Sequence, residues 1–474
     1  MKSCLNGHSW ALNSGAPAQL ETYAQPLEGF VSLCEGGRIP VPSVGMRVER
    51  SSVCGELRES AWRLQFMRDL VTQAVAGARA EGGAYENRTM FAERTNWNLE
   101  PNRLSEALER QRASARPLLD LTASNPTECG FVYDDEAILR ALSNPRALRY
   151  EPNPKGLESA RRAIADYYAA RDVEVSVEDI FLTTSTSEAY SFIFRLLCNP
   201  GDELLIPAPS YPLFGFLSDL HDVRLVRYPL RYEHGWRIDF PALERGISPR
   251  TRAVIVVHPN NPTGHYTKPH EMTKLNAICS NHNMAVIADE VFWDFALVER
   301  PAASFASNAG ALTFTMSGLS KISGLPQMKA AWLILSGPDE LKRPASARVE
   351  VISDIFLSMN APVQFAIPVF LEQRHSLQEQ LIARVRRNLA ELDGQLAAQR
   401  SCRRLEVEGG WYAVLCVPAA RSDEDLAIEL VASKSVYVHP GHFYDFADEG
   451  FFVVSLVTPE KTFRDGIRLL LSMS

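Results

Sequence analysis

The sequence predicts an α/β protein with a mostly parallel central sheet between helices and a smaller α+β domain at its C-terminal end. Two observations support this fold class. Between residues 180 and 335, short apolar runs alternate with segments of helical periodicity, which is typical of a parallel sheet buried on both faces. One long amphipathic stretch then leads into a second, shorter group of strands and helices, which predicts a smaller part built on that helix.

The predicted strands of the large sheet are short and apolar throughout. They cover residues 180–183, 203–207, 223–228, 253–258, 285–289, 312–315 and 330–335. Helical stretches lie between several of them, at 188–197, 212–220 and 270–282. Because parallel neighbours need a long crossover connection, usually a helix, this alternation predicts that most of these strands run in one direction.

The C-terminal part begins with a helix predicted over 377–399, where Val385, Leu389 and Leu392 belong to one apolar stripe with three- and four-residue spacing. The elements predicted after it are short strands within 405–418 and 451–457 and helices at 423–434 and 462–473. We therefore expect three parts after residue 89: an N-terminal segment shared with the small domain at 90–150, a large domain at 151–375 and a small domain at 376–474.

Residues 1–89 differ from the rest because they are rich in Gly and Pro and weakly periodic. One amphipathic helix is predicted over 56–78, and the remainder is expected to be loop or disordered. Met90 directly precedes the region of regular pattern. Two hypotheses follow: 1–89 is a flexible appendage, or Met90 is the true start.

Composition narrows the function classes. The 474 residues include 49 Lys and Arg against 57 Asp and Glu, a net charge of −8, which argues against a large basic surface for nucleic acid. No apolar run reaches the ~18 residues that a membrane span needs. The 8 cysteines form no CxxC pair, so neither a zinc site nor a thioredoxin-type motif is indicated, and reduced thiols in a cytoplasmic protein are expected.

Four polar segments follow predicted strands. They are TTSTSEA at 183–189, HPNNPTG at 258–264, ADEVF at 288–292 and SGLSKISGLPQMK at 317–329. The carboxyl ends of parallel strands are where α/β sheets bind ligands, and hydroxyl residues at a helix N-terminus can bind an anion. Alone, the segment at 258–264 can be an ordinary turn, and those at 183–189 and 288–292 ordinary helix caps. The segment at 317–329 fits neither the G-x-S-x-G pattern of serine hydrolases nor the S-x-x-K pattern of β-lactamases.

Together, in this order, the four segments resemble those of the class I and II aminotransferases, which are fold-type I pyridoxal-phosphate enzymes. Further matching segments are RYEPNPKGLESARRAIADYY at 149–168, PGDELLIPAPSYPLF at 200–214, GGWYAVL at 409–415 and VHPGHFYDF at 438–446. The resemblance covers residues 95–474. It implies bound pyridoxal 5'-phosphate and a homodimer with shared active sites.

The resemblance also implies roles for individual residues. Lys321 would form the Schiff base with the cofactor and move protons, and Asp289 would pair with the ring nitrogen. Asn261 would bond the phenolic oxygen of the ring, and Tyr211 would stack on the ring face. The residues implied around the phosphate are Ser185, Thr186, Ser187, Ser320, Lys329 and, from the neighbouring subunit, Tyr150.

Three positions depart from the family pattern. Lys329 stands where an arginine is usual, and a lysine grips phosphate less firmly because it acts as a point charge. Phe292 stands where many members place a tyrosine that donates to the phenolic oxygen. Val453 takes the position of the arginine that binds the substrate's α-carboxylate, and no arginine lies between Phe446 and Arg464.

The sequence therefore predicts an aminotransferase that moves an amino group between an amine or amino acid and a keto acid through a Schiff base on Lys321. Two alternatives stay open: a lyase or decarboxylase with the same cofactor, and a catalytically idle ligand-binding protein with this fold. A metal site at His439, His442 and Asp445 is not expected, because their spacing fits no standard zinc pattern. The substrate and the pathway are left undetermined.

Overall fold

The structure is a computed structural model that describes residues 90–114, 116–299 and 303–473. The helix predicted over 56–78 lies outside the described residues, as does the rest of 1–89. The α-helices of the described residues are α1 Arg103–Ala113, α2 Asp135–Ala141, α3 Glu158–Ala169, α4 Thr186–Leu197, α5 Phe214–Asp219, α6 Phe240–Arg245, α7 Pro269–His282, α8 Leu319–Ile322, α9 Asp339–Phe356, α10 Ala361–Ala397, α11 Asp423–Glu429 and α12 Glu460–Leu471.

The strands of the same residues form a large sheet, a small sheet and one isolated pair. They are β1 Leu119–Asp120, β2 Ile180–Thr183, β3 Glu203–Ala208, β4 Arg224–Tyr232, β5 Trp236–Ile238, β6 Thr251–Val257, β7 Ala285–Asp289, β8 Thr313–Gly318, β9 Ala331–Ser336, β10 Arg403–Arg404, β11 Tyr412–Cys416, β12 Val436–Tyr437, β13 His439–Pro440 and β14 Phe451–Ser455.

The large sheet has eight strands in the order β2-β9-β8-β7-β6-β3-β4-β5. Strands β8, β7, β6, β3 and β4 are parallel, which confirms the prediction of a mostly parallel sheet. β9 runs antiparallel to both of its neighbours, and β5 is antiparallel to β4. The connection from β8 to β9 holds the four-residue helix α8 and one short 3-10 turn, and neither is long enough to cross the sheet face as the helix of a parallel connection does.

The topology brings several loops to one edge of the large sheet. β6 and β7 end side by side, since Val257 pairs with Asp289 and the His258 amide donates to the Asp289 carbonyl at 2.8 Å. β8 pairs in parallel with β7 and leads directly into α8. β2 points the same way as β8, because both are antiparallel to β9. The polar segments that follow these strands therefore share one edge.

The prediction for the long helix was wrong at its start. α10 begins at Ala361 rather than at residue 377. Asn360 caps it by accepting from the Val363 amide at 3.0 Å, and Pro368 lies inside the helix without ending it. The first half buries Ile367 and Phe370, so tertiary packing outweighs the tendency of proline to break a helix. The helix predicted over 423–434 instead ends at Glu429, where a single π-turn, Leu430–Lys434, follows it.

The small sheet has the strand order β10-β11-β14-β13, and β1 pairs in parallel with β12 beside it. Asp423 at the first turn of α11 fixes the loops around this sheet. Its buried carboxylate accepts from the backbone amides of Gly441 at 3.2 Å, Gly450 at 2.5 Å and Phe451 at 3.2 Å. None of the helices in the described part of the chain has the length and apolar content that crossing a membrane requires.

Replacing Asp423 by alanine tests this role of the carboxylate. Three backbone amides would lose their acceptor in a buried place, so we expect Asp423→Ala to lower the free energy of unfolding by about 3 kcal/mol. Urea denaturation followed by circular dichroism measures it. The matched control is Asp425→Ala on the same helix, whose exposed carboxylate pairs with Arg103 at 2.7 Å; its loss should cost under about 1 kcal/mol. Equal effects of the two changes would contradict this account.

Candidate active site

Lys321 lies on α8, immediately after β8. Its Nζ is 5.6 Å from the ring centre of Phe292 and 5.2 Å from that of Trp411, and both rings are buried. Burial lowers the pKa of the Lys321 amine to about 8, while the charge of Asp289 acts in the opposite direction. A sizeable fraction of this amine is therefore neutral, and so nucleophilic, slightly above neutral pH.

Asp289 is the last residue of β7. Its carboxylate accepts from the Tyr190 hydroxyl at 3.1 Å and from the Val291 amide at 3.2 Å. Burial raises the pKa of Asp289 to about 6, and the two hydrogen bonds and the charge of Lys321 counteract this shift in part. A desolvated carboxylate held in a fixed orientation is suited to pair with a cationic group of a ligand.

Asn261 lies in the turn after β6. The neighbouring Asn260 shapes this turn: its Oδ1 accepts from the Thr263 hydroxyl at 2.8 Å, and its carbonyl accepts from the Gly264 amide at 2.7 Å. Asn261 itself is 7% exposed, and its Oδ1 has no hydrogen-bond partner among the described residues. A buried polar atom without a partner is rare in folded proteins and points to a missing ligand or water.

The N-terminus of α4 lies close to Asp289, since Tyr190 in the second turn of this helix bonds the carboxylate. Ser185 is the N-cap and accepts from the Glu188 amide at 3.2 Å. The Glu188 carboxylate in turn accepts from the Thr184 amide at 2.6 Å. Thr186 and Ser187 form the first turn, where backbone amides and the helix dipole favour an anion.

Tyrosines form one side of the site. Burial raises the pKa of the Tyr211 hydroxyl to about 12, and nearby Tyr412 and Asp289 add to the shift, although the residue as a whole is 38% exposed. The loop before Tyr211 is held by a bond of 2.8 Å from the Ser210 amide to the Tyr444 carbonyl. The Tyr444 hydroxyl lies 3.0 Å from Nδ1 of His439.

The remaining site residues predicted from the sequence, Ser320, Lys329 and Tyr150, differ in their exposure to solvent. Ser320 is partly buried beside Lys321 on α8. Lys329 is exposed and has a left-handed backbone conformation, with φ of 51°. Tyr150 is 77% exposed. In this single chain, therefore, Lys329 and Tyr150 lie on the surface rather than in the buried group around Lys321.

Two contacts of the site were not predicted from the sequence. Trp411 belongs to the GGWYAVL segment, and its ring lies near the Lys321 amine although the two residues are far apart in the chain. Tyr190 lies one helical turn after Thr186, so its spacing from the hydroxyl cluster was the available signal.

A lysine after one parallel strand, an aspartate at the end of the next and a helix N-terminus at the same sheet edge define the fold-type I class of pyridoxal-phosphate-dependent enzymes. Within that class, the chain belongs to the family described as aminotransferase class I and II, whose sequence pattern matches residues 116–466. The protein is therefore an aminotransferase that depends on pyridoxal phosphate, and it moves an amino group between an amine or amino acid and a keto acid.

Named relatives agree with this family. The chain is 32% identical to the glutamate-pyruvate aminotransferase AlaA of Escherichia coli K12 over 273 residues, which are 57% of this chain and 67% of that protein. It is 29% identical to the alanine aminotransferase of Mycobacterium bovis over 357 residues, 70% of this chain and 80% of that one. The crystal structure of an E. coli aminotransferase superposes with a TM-score of 0.69 at 25% identity, covering 78% of this chain and 94% of that chain.

The pKa of Lys321 gives a test that needs no substrate. In protein freed of cofactor, we expect pyridoxal phosphate to attach to Lys321 at a rate that rises with pH around a midpoint near 8, because only the neutral amine reacts. The rate is followed by the absorbance of the bound cofactor. Lys321→Ala should abolish attachment, and Lys274→Ala, which removes an exposed lysine paired with Glu244, should leave it unchanged. A midpoint near the ordinary lysine value of 10.5 would contradict this account.

Proposed function

We propose that the residues around Lys321 form the active site of this aminotransferase and that Lys321 holds the cofactor covalently. The observation that carries this proposal is the partly buried Lys321 amine, with its pKa lowered to about 8, close to the Asp289 carboxylate and facing the rings of Phe292 and Trp411. When bound, pyridoxal phosphate supplies an electron sink that makes the proton on the carbon next to a substrate amino group removable.

The polar groups at this sheet edge suit the parts of such a cofactor. Asp289 would hold the proton on the ring nitrogen. The side-chain amide nitrogen of the buried Asn261 would donate to the ring oxygen. Tyr211 would cover the ring face. The groups proposed for the phosphate are the first turn of α4 with Ser185, Thr186 and Ser187, the hydroxyl of Ser320 and the charge of Lys329.

Lys321 would also move the proton of the reaction. A group with a pKa near 8 can both accept and return a proton at neutral pH, which an exposed lysine cannot do efficiently. The rings of Phe292 and Trp411 lie against the amine and reduce its contact with water, which would slow exchange of the proton with solvent.

We further propose that the enzyme is a cytoplasmic homodimer, without a nucleic-acid partner, in which Tyr150 completes the partner's phosphate site. Support comes from large apolar side chains that one chain leaves exposed. They include Leu148 at 93%, Tyr150 at 77%, Ile355 at 73% and Leu357 at 67% exposure. Exposed apolar groups of this kind mark protein–protein contact surfaces.

For substrates, the names of the relatives favour α-amino and α-keto acids such as alanine, glutamate and pyruvate. Val453, however, offers no cation for a carboxylate. It lies in the middle of β14, 1% exposed, with Val414 and His439 as its cross-strand partners. We therefore propose that a carboxylate, where the substrate has one, is bound elsewhere than at this strand.

A half-reaction with a panel of amines and amino acids separates aminotransfer from the alternatives. We expect an amino donor to convert the bound cofactor to its amine form and release one keto acid per site, with a second keto acid restoring the original spectrum. Absorbance and product chromatography measure both steps. Product release that continues without any keto acid would indicate a lyase or decarboxylase, and no spectral change with any donor would favour a ligand-binding protein.

The shared site can be tested by mixing two inactive variants. Lys321→Ala and Tyr150→Ala chains each lack one contribution, but a heterodimer would contain one complete site. Random reassociation should therefore restore about a quarter of the wild-type activity, since half of the dimers are mixed and each has one working site. Activity of the mixture that stays at the sum of the separate variants would contradict a shared site, as would a monomer in sedimentation analysis.

A further inference from the structure

The side-chain amide of Gln378 on α10 joins two segments that meet at Lys321. Gln378 is 7% exposed. Its Nε2 lies 2.9 Å from the carbonyl of Ile322 and 2.5 Å from Oδ2 of Asp294. An amide nitrogen carries two hydrogens, so both bonds can form together. One bond holds the residue that follows Lys321, and the other holds the segment that starts at Asp289.

Asp294 is a fixed point at the far end of the segment 289–294. Its side chain is 0% exposed, and its Oδ1 accepts from the Tyr167 hydroxyl at 2.6 Å and from the guanidinium of Arg171. The charge of the carboxylate is therefore compensated, and its position is held from two sides. Phe292, two residues earlier, is the ring that faces the Lys321 amine.

The segment that carries Lys321, residues 319–324, depends on hydrogen bonds to other parts of the chain. α8 has only four residues, and so short a helix is not stable by itself. After Lys321, the Ile322 carbonyl accepts from Gln378, the Ser323 hydroxyl donates to the Phe370 carbonyl at 2.9 Å, and the Gly324 carbonyl accepts from Tyr133 at 2.9 Å. Of these three partners, Gln378 is the one whose amide nitrogen also donates to Asp294.

We propose that Gln378 is a positioning residue of the aminotransferase reaction, whose amide sets the separation between the Lys321 amine and the Asp289 carboxylate. This inference rests on the function proposed for Lys321. Without the amide, the buried oxygens of Asp294 and Ile322 lose a donor, and the parts of the two segments that lie beyond the β7–β8 pairing can move apart. Water then reaches the amine, and the pKa of Lys321 returns toward its ordinary value, because burial is the main cause of its shift.

Two variants and one control test the proposal. Gln378→Leu removes the hydrogen-bond donor. Gln378→Glu keeps the size of the side chain but places a carboxylate oxygen, which accepts, next to the Asp294 carboxylate and the Ile322 carbonyl, which also accept. The control is Gln380→Leu on the same helix, whose amide makes two bonds of 2.9 Å to the backbone of Val132. The readout is the pH midpoint for attachment of pyridoxal phosphate to Lys321 in cofactor-free protein, trapped by borohydride and located by mass spectrometry.

We expect both Gln378 variants to raise this midpoint by roughly half a pH unit or more, which slows attachment at pH 7 about threefold. In the loaded enzyme, kcat should fall more than KM rises. The Gln380→Leu protein should keep the wild-type midpoint.

Three results would overturn the proposal: a folded Gln378→Leu protein with the wild-type midpoint, an equal shift in Gln380→Leu, or, where the leucine variant does not fold, a Gln378→Glu protein with the wild-type midpoint. Wild-type protein that attaches no cofactor at Lys321 would refute the proposed function itself, and it is distinguished by the absence of the trapped Lys321 peptide.

Discussion

The burial of the Lys321 amine beside the Asp289 carboxylate is the constraint on which the rest of the site depends. Burial lowers the pKa of Lys321 to about 8 and raises that of Asp289 to about 6. The lysine shift opposes folding below pH 8, and this cost disappears only above its ordinary pKa of 10.5. The aspartate shift opposes folding above pH 6, and its cost disappears below its ordinary 3.8. At neutral pH the fold therefore carries both costs.

The surroundings of the pair show how the fold sustains these costs. The three strands that lead to it, β6, β7 and β8, are almost fully buried, so the backbone that positions both groups is supported by apolar packing. The faces of Phe292 and Trp411 stabilise the ammonium form of Lys321, typically by about 0.5–2 kcal/mol for such a contact. Tyr190 and the Val291 amide stabilise the carboxylate. The Lys321–Asp289 pair therefore lowers the stability of the fold, and the buried strands β6, β7 and β8 keep it in place.

The contrast between the apolar strands and the polar site at their ends also explains what the sequence could predict. The central strands are buried on both faces, so each is a continuous apolar run that can be recognised from the local sequence alone. The direction of β9 and the start of α10 at Ala361 depend on loop length and on tertiary packing, which periodicity does not record. Lys321 and Asp289 could be named because the segments that contain them, SGLSKISGLPQMK and ADEVF, match the family pattern in order. Trp411 was not assigned to the site, since its contact with Lys321 arises from elements far apart in the chain.

The position of Trp411 is set by backbone contacts between the loop that follows β7 and the loop that precedes β11. The Leu297 amide donates to the Glu408 carbonyl at 2.8 Å, and the Gly410 amide donates to the Phe295 carbonyl at 2.9 Å. A Cβ on Gly409 would stand 2.6 Å from the ring of Tyr266, so the backbone approaches this ring as only glycine allows. The small sheet is thereby joined to the segment just beyond Asp294. Gln378 on α10 bonds Asp294 itself, so the segments that carry the amine, the carboxylate and the indole are linked to one another.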